Sequence, residues 1–305
     1  MAVTAQMVKD LRELTGAGMM DCKNTLTETD GNIEKAIELL REKGLAKAAK
    51  KAGRIATEGL VRAAFKADGS KAAIVEVNSE TDFVAKNEEF IDFVQKLAEL
   101  ALDAPSDDME AFMASPYEGE GTVRDALNVK IAKIGENLNI RRFEKFSKPG
   151  VVYAGYIHGN GKIGVIVGLE TDATVSDIQI VGKDVAMQVA SMSPRFVDES
   201  AVDPEYLAKE KEIMTQLVLN EGKKADMVDR IVEGKLKKEI KEVCLIEQKF
   251  VKNGDVTVCQ YVADAGKAMG KNMKVDSFVR YEVGEGIEKK EEDFAAEVAK
   301  QISQQ

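Results

Sequence analysis

Apolar residues at the start of the chain recur at helical spacing in three short runs. Thr4 can cap a first helix, Met19 begins a second and Asn32 can cap a third, and turns that contain glycine separate them. The apolar stripes of the first and third helices are Met7, Val8, Leu11 and Leu14, and Ile33, Ala36, Ile37 and Leu40. Residues 1–54, which end in a basic, alanine-rich link over 45–54, are therefore predicted to form one small helical unit.

From about residue 55 onward, one pattern of strands and helices occurs twice. Each copy has a glycine turn, an apolar strand, the tripeptide Glu-Thr-Asp, an amphipathic helix and a returning strand. These strands and tripeptides are 73–77, Glu80-Thr81-Asp82 and 138–143 in the first copy, and 163–169, Glu170-Thr171-Asp172 and 278–283 in the second. This pattern predicts an α+β fold with a duplicated core, in which antiparallel sheets carry helices on one face. We place the copies at 55–148 and 149–284.

Two further helical segments are predicted outside the repeated pattern. The second copy holds an insertion at about 203–241, which lacks strand spacing and has apolar positions among many Lys and Glu residues. Gly222 near its middle fits a turn between two antiparallel helices that project as a hairpin. The tail over 285–305 is expected to form a C-terminal helical module. The acidic stretch over 104–121 is expected to be a loop.

The corner between strand 73–77 and the next helix carries the most informative residues. Asp82 and Phe83 lie together there, just before a helix expected to start near Asn87. Such corners usually lie at the surface, where a large aromatic is costly to expose without a function. Spacing alone leaves open whether Phe83 faces the core. The second copy has Ala173 at the corresponding position, so the scaffold does not require an aromatic there, and this favours a functional role for Phe83.

Composition limits the possible classes of protein. The 305 residues are 44% hydrophobic and 31% charged, with a formal net charge of −10 and a pI near 5.0. These values are typical of a soluble globular protein and argue against a general nucleic-acid binder, which carries a basic surface. No signal peptide is expected, and no apolar run approaches the roughly 18 residues that cross a bilayer. Three widely spaced cysteines do not predict a disulfide framework, and we expect a cytoplasmic protein.

Candidate catalytic motifs in the chain are weak. Gly159-x-Gly161-x-x-Gly164 matches a dinucleotide-binding pattern, but a strand follows it instead of a helix N-terminus, so a hairpin turn is the better interpretation. The single histidine, His158, has no acid or nucleophile at a recognisable spacing. One histidine and three scattered cysteines do not supply an ordinary zinc site. We therefore expect no cofactor, no metal site and no enzyme activity of the chain's own.

Several long motifs, all in one order, resemble the bacterial elongation factor Ts family over essentially the whole chain. They are LTGAGMMDCK at 14–23, VNSETDFVAK at 77–86, KIGENLNIRR at 133–142 and DFAAEVA at 293–299. The resemblance implies an N-terminal module similar to ubiquitin-associated (UBA) domains, a two-part core, an inserted helical hairpin and a C-terminal module. It also implies a guanine nucleotide exchange factor for the translational GTPase EF-Tu, with one copy per EF-Tu and no direct contact with nucleic acid or membrane.

The resemblance further implies which residues contact EF-Tu. Those that approach the partner's nucleotide site are Thr81, Asp82, Phe83 and Val84. Phe83 is implied to act as a wedge between helices, while the acid disturbs the surroundings of the Mg²⁺ ion. The residues implied to contact the G domain of the partner are Leu11, Met19, Met20 and Val243. Tyr156 and His158 are implied to face its third domain.

Two other functions remain open from the sequence. One is a non-catalytic, ribosome-associated or UBA-like interaction protein that binds a partner helix through Met19 and Met20, since flexible thioethers suit adaptable surfaces. That function has no need of Asp82 and Phe83. The weaker alternative is a nucleotide-dependent enzyme built on the glycine motif at 159–164.

Overall fold

The structure, a computed structural model, describes residues 3–119 and 121–288. Its helices are α1 Ala5–Thr15, α2 Met19–Glu28, α3 Ile33–Lys51, α4 Asp82–Ala85, α5 Glu88–Ala101, α6 Met109–Met113, α7 Val123–Ile134, α8 Val175–Met192, α9 Pro204–Asn220, α10 Ala225–Val243 and α11 Val258–Ala268. Its strands are β1 Glu58–Phe65, β2 Ala72–Ser79, β3 Pro116–Tyr117, β4 Gly121–Thr122, β5 Asn139–Phe146, β6 Val151–His158, β7 Ile163–Thr171, β8 Lys249–Phe250, β9 Asn253–Thr257 and β10 Met273–Glu282. Helices combined with antiparallel sheets confirm the α+β class. The predicted C-terminal module covers 285–305, and its residues after 288 lie outside the described part of the chain.

The three N-terminal helices form where the capping residues predict them. The Thr4 hydroxyl accepts a hydrogen bond from the Met7 amide (3.2 Å), and the Asn32 side chain accepts one from the Lys35 amide (3.0 Å). Gly16 ends α1 in the left-handed conformation, at φ 65°. α3 continues to Lys51, so residues 45–51 of the predicted basic link are the last part of this helix and 52–54 follow it. The buried core of the bundle is Val8, Leu11, Cys22, Leu26 and Ala36.

The long strands form two three-stranded antiparallel sheets with the same order. The first sheet has the order β1-β2-β5 and the second has β6-β7-β10, so that β2 and β7 are central. On the central strand of the first sheet, Val75 lies opposite Arg62 and Phe143. A shared order of strands is the arrangement that the predicted internal duplication requires.

The two sheets pack against each other and carry their helices on the outside, so the core has four layers. The outer face of the first sheet packs against α5 and α7, and that of the second sheet packs against α8 and α11. The residues buried between the sheets are Val61, Ala72, Ile74, Val151, Tyr153, Ile166 and Tyr281. Both faces of β2 are therefore covered, and all eight of its residues are buried. This double burial explains why β2 begins with an apolar run over 72–75, although Glu76, Asn78 and Ser79 farther along the strand are buried as well.

A carboxylate is buried at the centre of this packing. Glu76 on β2 is fully buried and accepts hydrogen bonds from the side chains of Asn78 (3.0 Å), Arg141 (3.1 Å) and Arg142 (2.6 Å) and from the Gly284 amide (2.8 Å). Burial alone would raise the pKa of Glu76, but the bonds from Gly284, Asn78 and Arg142 hold it below its usual value. Because Gly284 follows the last strand of the second sheet, the ionised carboxylate ties the two sheets together.

The inserted segment forms the predicted helical hairpin. α9 and α10 follow each other across a short turn and pack through Val218, Val228 and Val232. Asp203 caps α9, and Pro204 occupies its first turn, a position that tolerates the missing amide.

The stretch over 104–121 is not the loop that its acidic composition predicts. It contains α6 and one complete strand of the β3–β4 pair. Phe112 on α6 is fully buried, and its ring centre lies 4.5 Å from that of Phe143. The buried Phe112 anchors the short helix to the first sheet. The acidic composition of this stretch does not indicate that it contains a buried aromatic.

Replacing Glu76 with Gln is expected to destabilise the protein by about 3 kcal/mol at pH 7, because two arginines lose their buried counter-charge. The free energy of unfolding in urea measures this effect. Glu118→Gln is the matched control, since the Glu118 side chain is 90% exposed, and we expect it to change stability by less than about 0.5 kcal/mol.

The same comparison has an expected pH dependence. A carboxylate whose pKa is depressed by folding stabilises the folded state above the unfolded pKa, about 4.3 for Glu, and loses this contribution as the pH falls. The stability difference between the wild-type chain and Glu76→Gln should therefore be complete at pH 7 and shrink below about pH 4.3. A difference that stays constant down to pH 3 would show that the charge of Glu76 does not stabilise the fold.

Candidate functional site

The corner after β2 is a single helical turn with an anchored inner side. Thr81 precedes α4 in an extended conformation, and Asn87 caps the following helix α5. Val84 and Ala85 are buried in the core of the first sheet, whereas Phe83 is 79% exposed. The direction of Phe83, which spacing leaves open, is thus outward. Its ring stands on the surface while its neighbours in the turn hold the backbone in place.

A charged pair lies beside the exposed ring. Lys86 donates a hydrogen bond to the Asp82 carboxylate (2.6 Å), and its nitrogen lies 5.8 Å from the centre of the Phe83 ring. The bond from Lys86, with the charges of Lys86 and Lys162, lowers the pKa of Asp82, so the carboxylate is ionised at neutral pH. Ion pairs in water contribute little to stability. Asp82 can therefore leave its ion pair with Lys86 and pair with a group on another molecule at a small cost in free energy.

Thr81 is held by a residue that the sequence analysis did not identify. The Thr81 amide and hydroxyl both donate to the Glu136 carboxylate, at 2.9 and 2.7 Å, and the Ser79 hydroxyl donates to the Thr81 carbonyl at 2.9 Å. Glu136 lies in the turn between α7 and β5, 55 residues along the chain from Thr81. The one sequence signal that included Glu136 is the motif at 133–142, which carries the family resemblance without indicating this contact.

The corresponding corner of the second copy has no exposed aromatic. Ala173 is buried, and Asp172 pairs with Lys271 (3.0 Å) from the turn that leads into the last strand. The two corners therefore share a backbone position and an acid but differ in what they present to solvent.

The N-terminal residues implied to contact the partner separate into two groups. Met19 and Met20, at the start of α2, are 55% and 63% exposed. Leu11 is fully buried in the core of the helical bundle, so the structure contradicts a surface contact by this residue. It faces inward because it occupies the centre of the apolar stripe of α1. Leu14, at the end of that stripe, is 68% exposed and was not predicted as a contact.

The turn between β6 and β7 lies at the same end of the sheets as the corner. Lys162 in this turn pairs with Glu58, which lies opposite Ser79 in the first sheet. His158, at the end of β6, is exposed, and its Nδ1 atom lies 2.9 Å from the hydroxyl of the half-buried Tyr156. The hairpin turn predicted for the glycine motif is confirmed, since a short 3-10 turn at Gly159–Gly161 joins the two strands.

Val243 belongs to the base of the helical hairpin. Its side chain is half-buried, and its carbonyl accepts hydrogen bonds from the amides of Arg195 (2.8 Å) and Phe196 (3.1 Å). These bonds fix the residue where the hairpin joins the core and leave part of its side chain accessible.

The described residues contain neither a side-chain cluster suited to a metal ion nor a helix suited to span a membrane. Across 3–119 and 121–288, no group of three or more His, Cys, Asp or Glu side chains is placed to hold a metal ion. None of the helices in these ranges has the length and apolar composition of a membrane span. The corner offers an aromatic ring, an ion pair and fixed backbone groups, which are the elements of a contact surface.

The fold and the corner define the class, an α+β protein that presents a rigidly held, exposed aromatic. The family model described as Elongation factor TS matches residues 80–285. Elongation factor Ts of Clostridioides difficile (strain 630) is 57% identical over 300 residues, which cover 98% of this chain and 99% of the relative. Elongation factor Ts of Clostridium tetani (strain Massachusetts / E88) is 54% identical over 302 residues, with the same coverage. The chain belongs to the elongation factor Ts family.

Replacing Phe83 with Ala is expected to change the free energy of unfolding by less than about 0.5 kcal/mol, because the ring makes few contacts within the chain. Phe90→Ala is the matched comparison. Phe90 is fully buried on α5, and its truncation should cost about 3–5 kcal/mol. Urea unfolding measures both. A loss of more than 1 kcal/mol in Phe83→Ala would mean that the ring is part of the core.

Proposed function

We propose that this chain is a guanine nucleotide exchange factor for EF-Tu. In this proposal it binds EF-Tu·GDP, disturbs the Mg²⁺ and phosphate site, and promotes release of GDP so that GTP can bind. Membership of the elongation factor Ts family supports the role in translation elongation. The observation that carries the mechanism is the exposure of Phe83 on an anchored turn, since a large aromatic in water is costly unless it fills a site on a partner.

Phe83 and Asp82 have separate tasks in the proposed mechanism. The ring enters between helices of the partner's G domain and separates them. The Asp82 carboxylate, which is ionised and forms an ion pair with the exposed Lys86, brings a negative charge toward the groups that hold the partner's Mg²⁺ ion. Because Mg²⁺ requires near-ideal octahedral geometry, a small displacement of its ligands weakens nucleotide binding strongly.

The size of the effect sets a requirement for the contact. The chain weakens the affinity of EF-Tu for GDP by some factor, and GDP weakens the affinity for the chain by the same factor. Each tenfold change needs about 1.4 kcal/mol of differential binding, so a thousandfold change needs roughly 4 kcal/mol. A buried aromatic at the centre of an interface, with supporting contacts, supplies energies of this order.

Predicted contacts outside the corner contribute to affinity for the partner and not to the displacement of GDP. Met19 and Met20 lie on the N-terminal bundle, away from the corner in the chain, and present flexible apolar groups. Tyr156 and His158 lie at the same end of the sheets as the corner, and we assign them a second contact with the partner. We propose one copy of the chain per EF-Tu, acting in the cytoplasm, without a cofactor or enzyme activity of its own.

The alternative is an interaction protein that uses only the N-terminal bundle. The exposed pair Met19 and Met20 favours it, because such a surface is suited to an amphipathic partner helix. It gives no role to Phe83. The two functions are therefore separated by the effect of Phe83 on nucleotide release.

Release of a fluorescent GDP analogue from purified EF-Tu is the decisive measurement for Phe83. We expect the wild-type chain to accelerate release, and Phe83→Ala to lower the saturated release rate roughly 10- to 30-fold. This decrease corresponds to a loss of about 1.4–2 kcal/mol at an interface hot spot. Ile180→Ala is the matched control, since Ile180 is 74% exposed on α8, and it should retain the wild-type rate. No acceleration at any concentration of the wild-type chain would contradict the proposed function.

Replacing both Met19 and Met20 with Ala tests whether the N-terminal bundle contributes to affinity for EF-Tu and not to the rate of GDP release from the complex. The half-saturating concentration of the chain should rise about 5- to 10-fold, the loss of roughly 1 kcal/mol of contact, while the saturated rate stays within about twofold. Met192→Ala, at a half-exposed methionine on α8, serves as the control. A large decrease in the saturated rate of the double variant would show that the bundle also takes part in the displacement of GDP.

A further inference from the structure

The motif at 133–142 has no function in the mechanism above, although it meets the corner that carries Phe83. Its turn, Gly135-Glu136-Asn137, joins α7 to β5. Gly135 ends α7 in the left-handed conformation at φ 87°, which directs the next two residues toward the end of β2.

Glu136 engages the backbone of the corner directly. One carboxylate oxygen accepts from the Thr81 amide and the other from the Thr81 hydroxyl, at 2.9 and 2.7 Å. Bonds to a charged acceptor are stronger than neutral ones, and a bidentate arrangement also restricts rotation. Thr81 immediately precedes the single turn α4, so its orientation sets the direction in which the Phe83 ring points.

Asn137 joins the same corner to the link that leads from the N-terminal bundle. Its amide donates to the Glu80 carboxylate (2.6 Å), and its side-chain nitrogen donates to the Arg54 carbonyl (2.7 Å). Lys51, the last residue of α3, donates to the Gly135 carbonyl. Asn137 is almost fully buried, so its own two hydrogen bonds are partly shielded from water.

The second copy provides an internal comparison. There the Thr171 hydroxyl donates to the backbone carbonyl of Asn272 (2.7 Å), and no carboxylate from this turn reaches the Thr171 amide among the described contacts. In the corner with the exposed aromatic, one carboxylate binds both the amide and the hydroxyl of the threonine. In the corner that buries Ala173, the Thr171 amide and hydroxyl donate to the neutral carbonyls of Gly150 and Asn272, and the charged contact is from Lys271 to Asp172.

We propose that Glu136 is a positioning residue for Phe83, held in place by Asn137. This inference rests on the proposed exchange function and deepens it. The Phe83 ring can separate two helices of the partner's G domain only if the turn that carries it does not rotate when the helices press against the ring. α4 is one turn long and Phe83 has few contacts of its own. Val84 and Ala85 hold the inner side of this turn, and force on its N-terminal end is carried from Thr81 through Glu136 to the end of α7. Glu136 thus acts on the rate at which bound EF-Tu loses GDP, and not on the affinity of the complex.

The test is a double-mutant cycle on release of the fluorescent GDP analogue from EF-Tu. Glu136→Ala should lower the saturated rate about tenfold while the half-saturating concentration changes less than twofold. In a Phe83→Ala background, Glu136→Ala should have no further effect, because there is no ring to position. Glu136→Gln, which keeps an acceptor for Thr81, should recover part of the loss. Thr171→Val, which removes the matching hydroxyl bond of the second copy, should leave release unchanged.

Hydrogen exchange supplies a readout that does not depend on EF-Tu. The Thr81 amide should exchange about tenfold faster in Glu136→Ala, while the amide of Thr171 keeps its wild-type rate. A folded Glu136→Ala chain with both the wild-type release rate and the wild-type exchange of Thr81 would overturn the positioning role. If that variant does not fold, Glu136→Gln is measured in its place. A smaller loss of release rate and a smaller acceleration of Thr81 exchange are then expected, and the absence of both would overturn the positioning role.

The outcomes separate this inference from the function on which it rests. Failure of the wild-type chain to accelerate release overturns both. Acceleration that is lost in Phe83→Ala but retained in Glu136→Ala overturns positioning alone. A loss in Glu136→Ala that persists in the Phe83→Ala background, with a raised half-saturating concentration, would assign Glu136 a direct contact with EF-Tu and would also overturn positioning.

Discussion

Packing of one sheet against the other is the constraint on which the remaining structure depends. It covers the second face of β2, so that the strand is buried on both sides and cannot shift without disturbing both halves of the core. The corner at Thr81 begins where β2 ends. A surface turn is therefore attached to a strand that is buried along its whole length, and a rigid support of this kind keeps a contact residue in place.

The buried Glu76 makes this packing specific. A carboxylate in a protein interior costs several kcal/mol unless donors surround it, and four donors from both halves of the core do so here. Apolar contacts are not directional, whereas the hydrogen bond from the Gly284 amide to Glu76 requires a defined placement of the second sheet on the first. Arg142 also stacks 4.0 Å from the ring centre of Tyr281, which adds a second contact across the same boundary.

Local signals in the sequence predicted local structure well. Capping by Thr4 and Asn32, the apolar run of β2 and the start of α5 at Asn87 all follow from short-range chemistry, and the structure confirms them. Features set by distant contacts were missed. The stripe of α1 does not reveal that Leu11 lies inside while Leu14 lies outside, and the acidic stretch around Phe112 hides a buried aromatic. The link between Glu136 and Thr81 depends on the relative placement of α7 and β2, which periodicity does not encode.

The sheet faces that meet at the centre have a consequence for how such a chain can be divided. Each half carries helices on one side only, so a polypeptide with the first half alone would expose Val61, Ala72 and Ile74 to water. Two such polypeptides placed back to back, related by a twofold axis, would cover these residues again. In its layers, the single chain corresponds to two such halves joined end to end. Fusion frees the two halves to diverge, so that one corner keeps an exposed ring while the other is closed by Ala173.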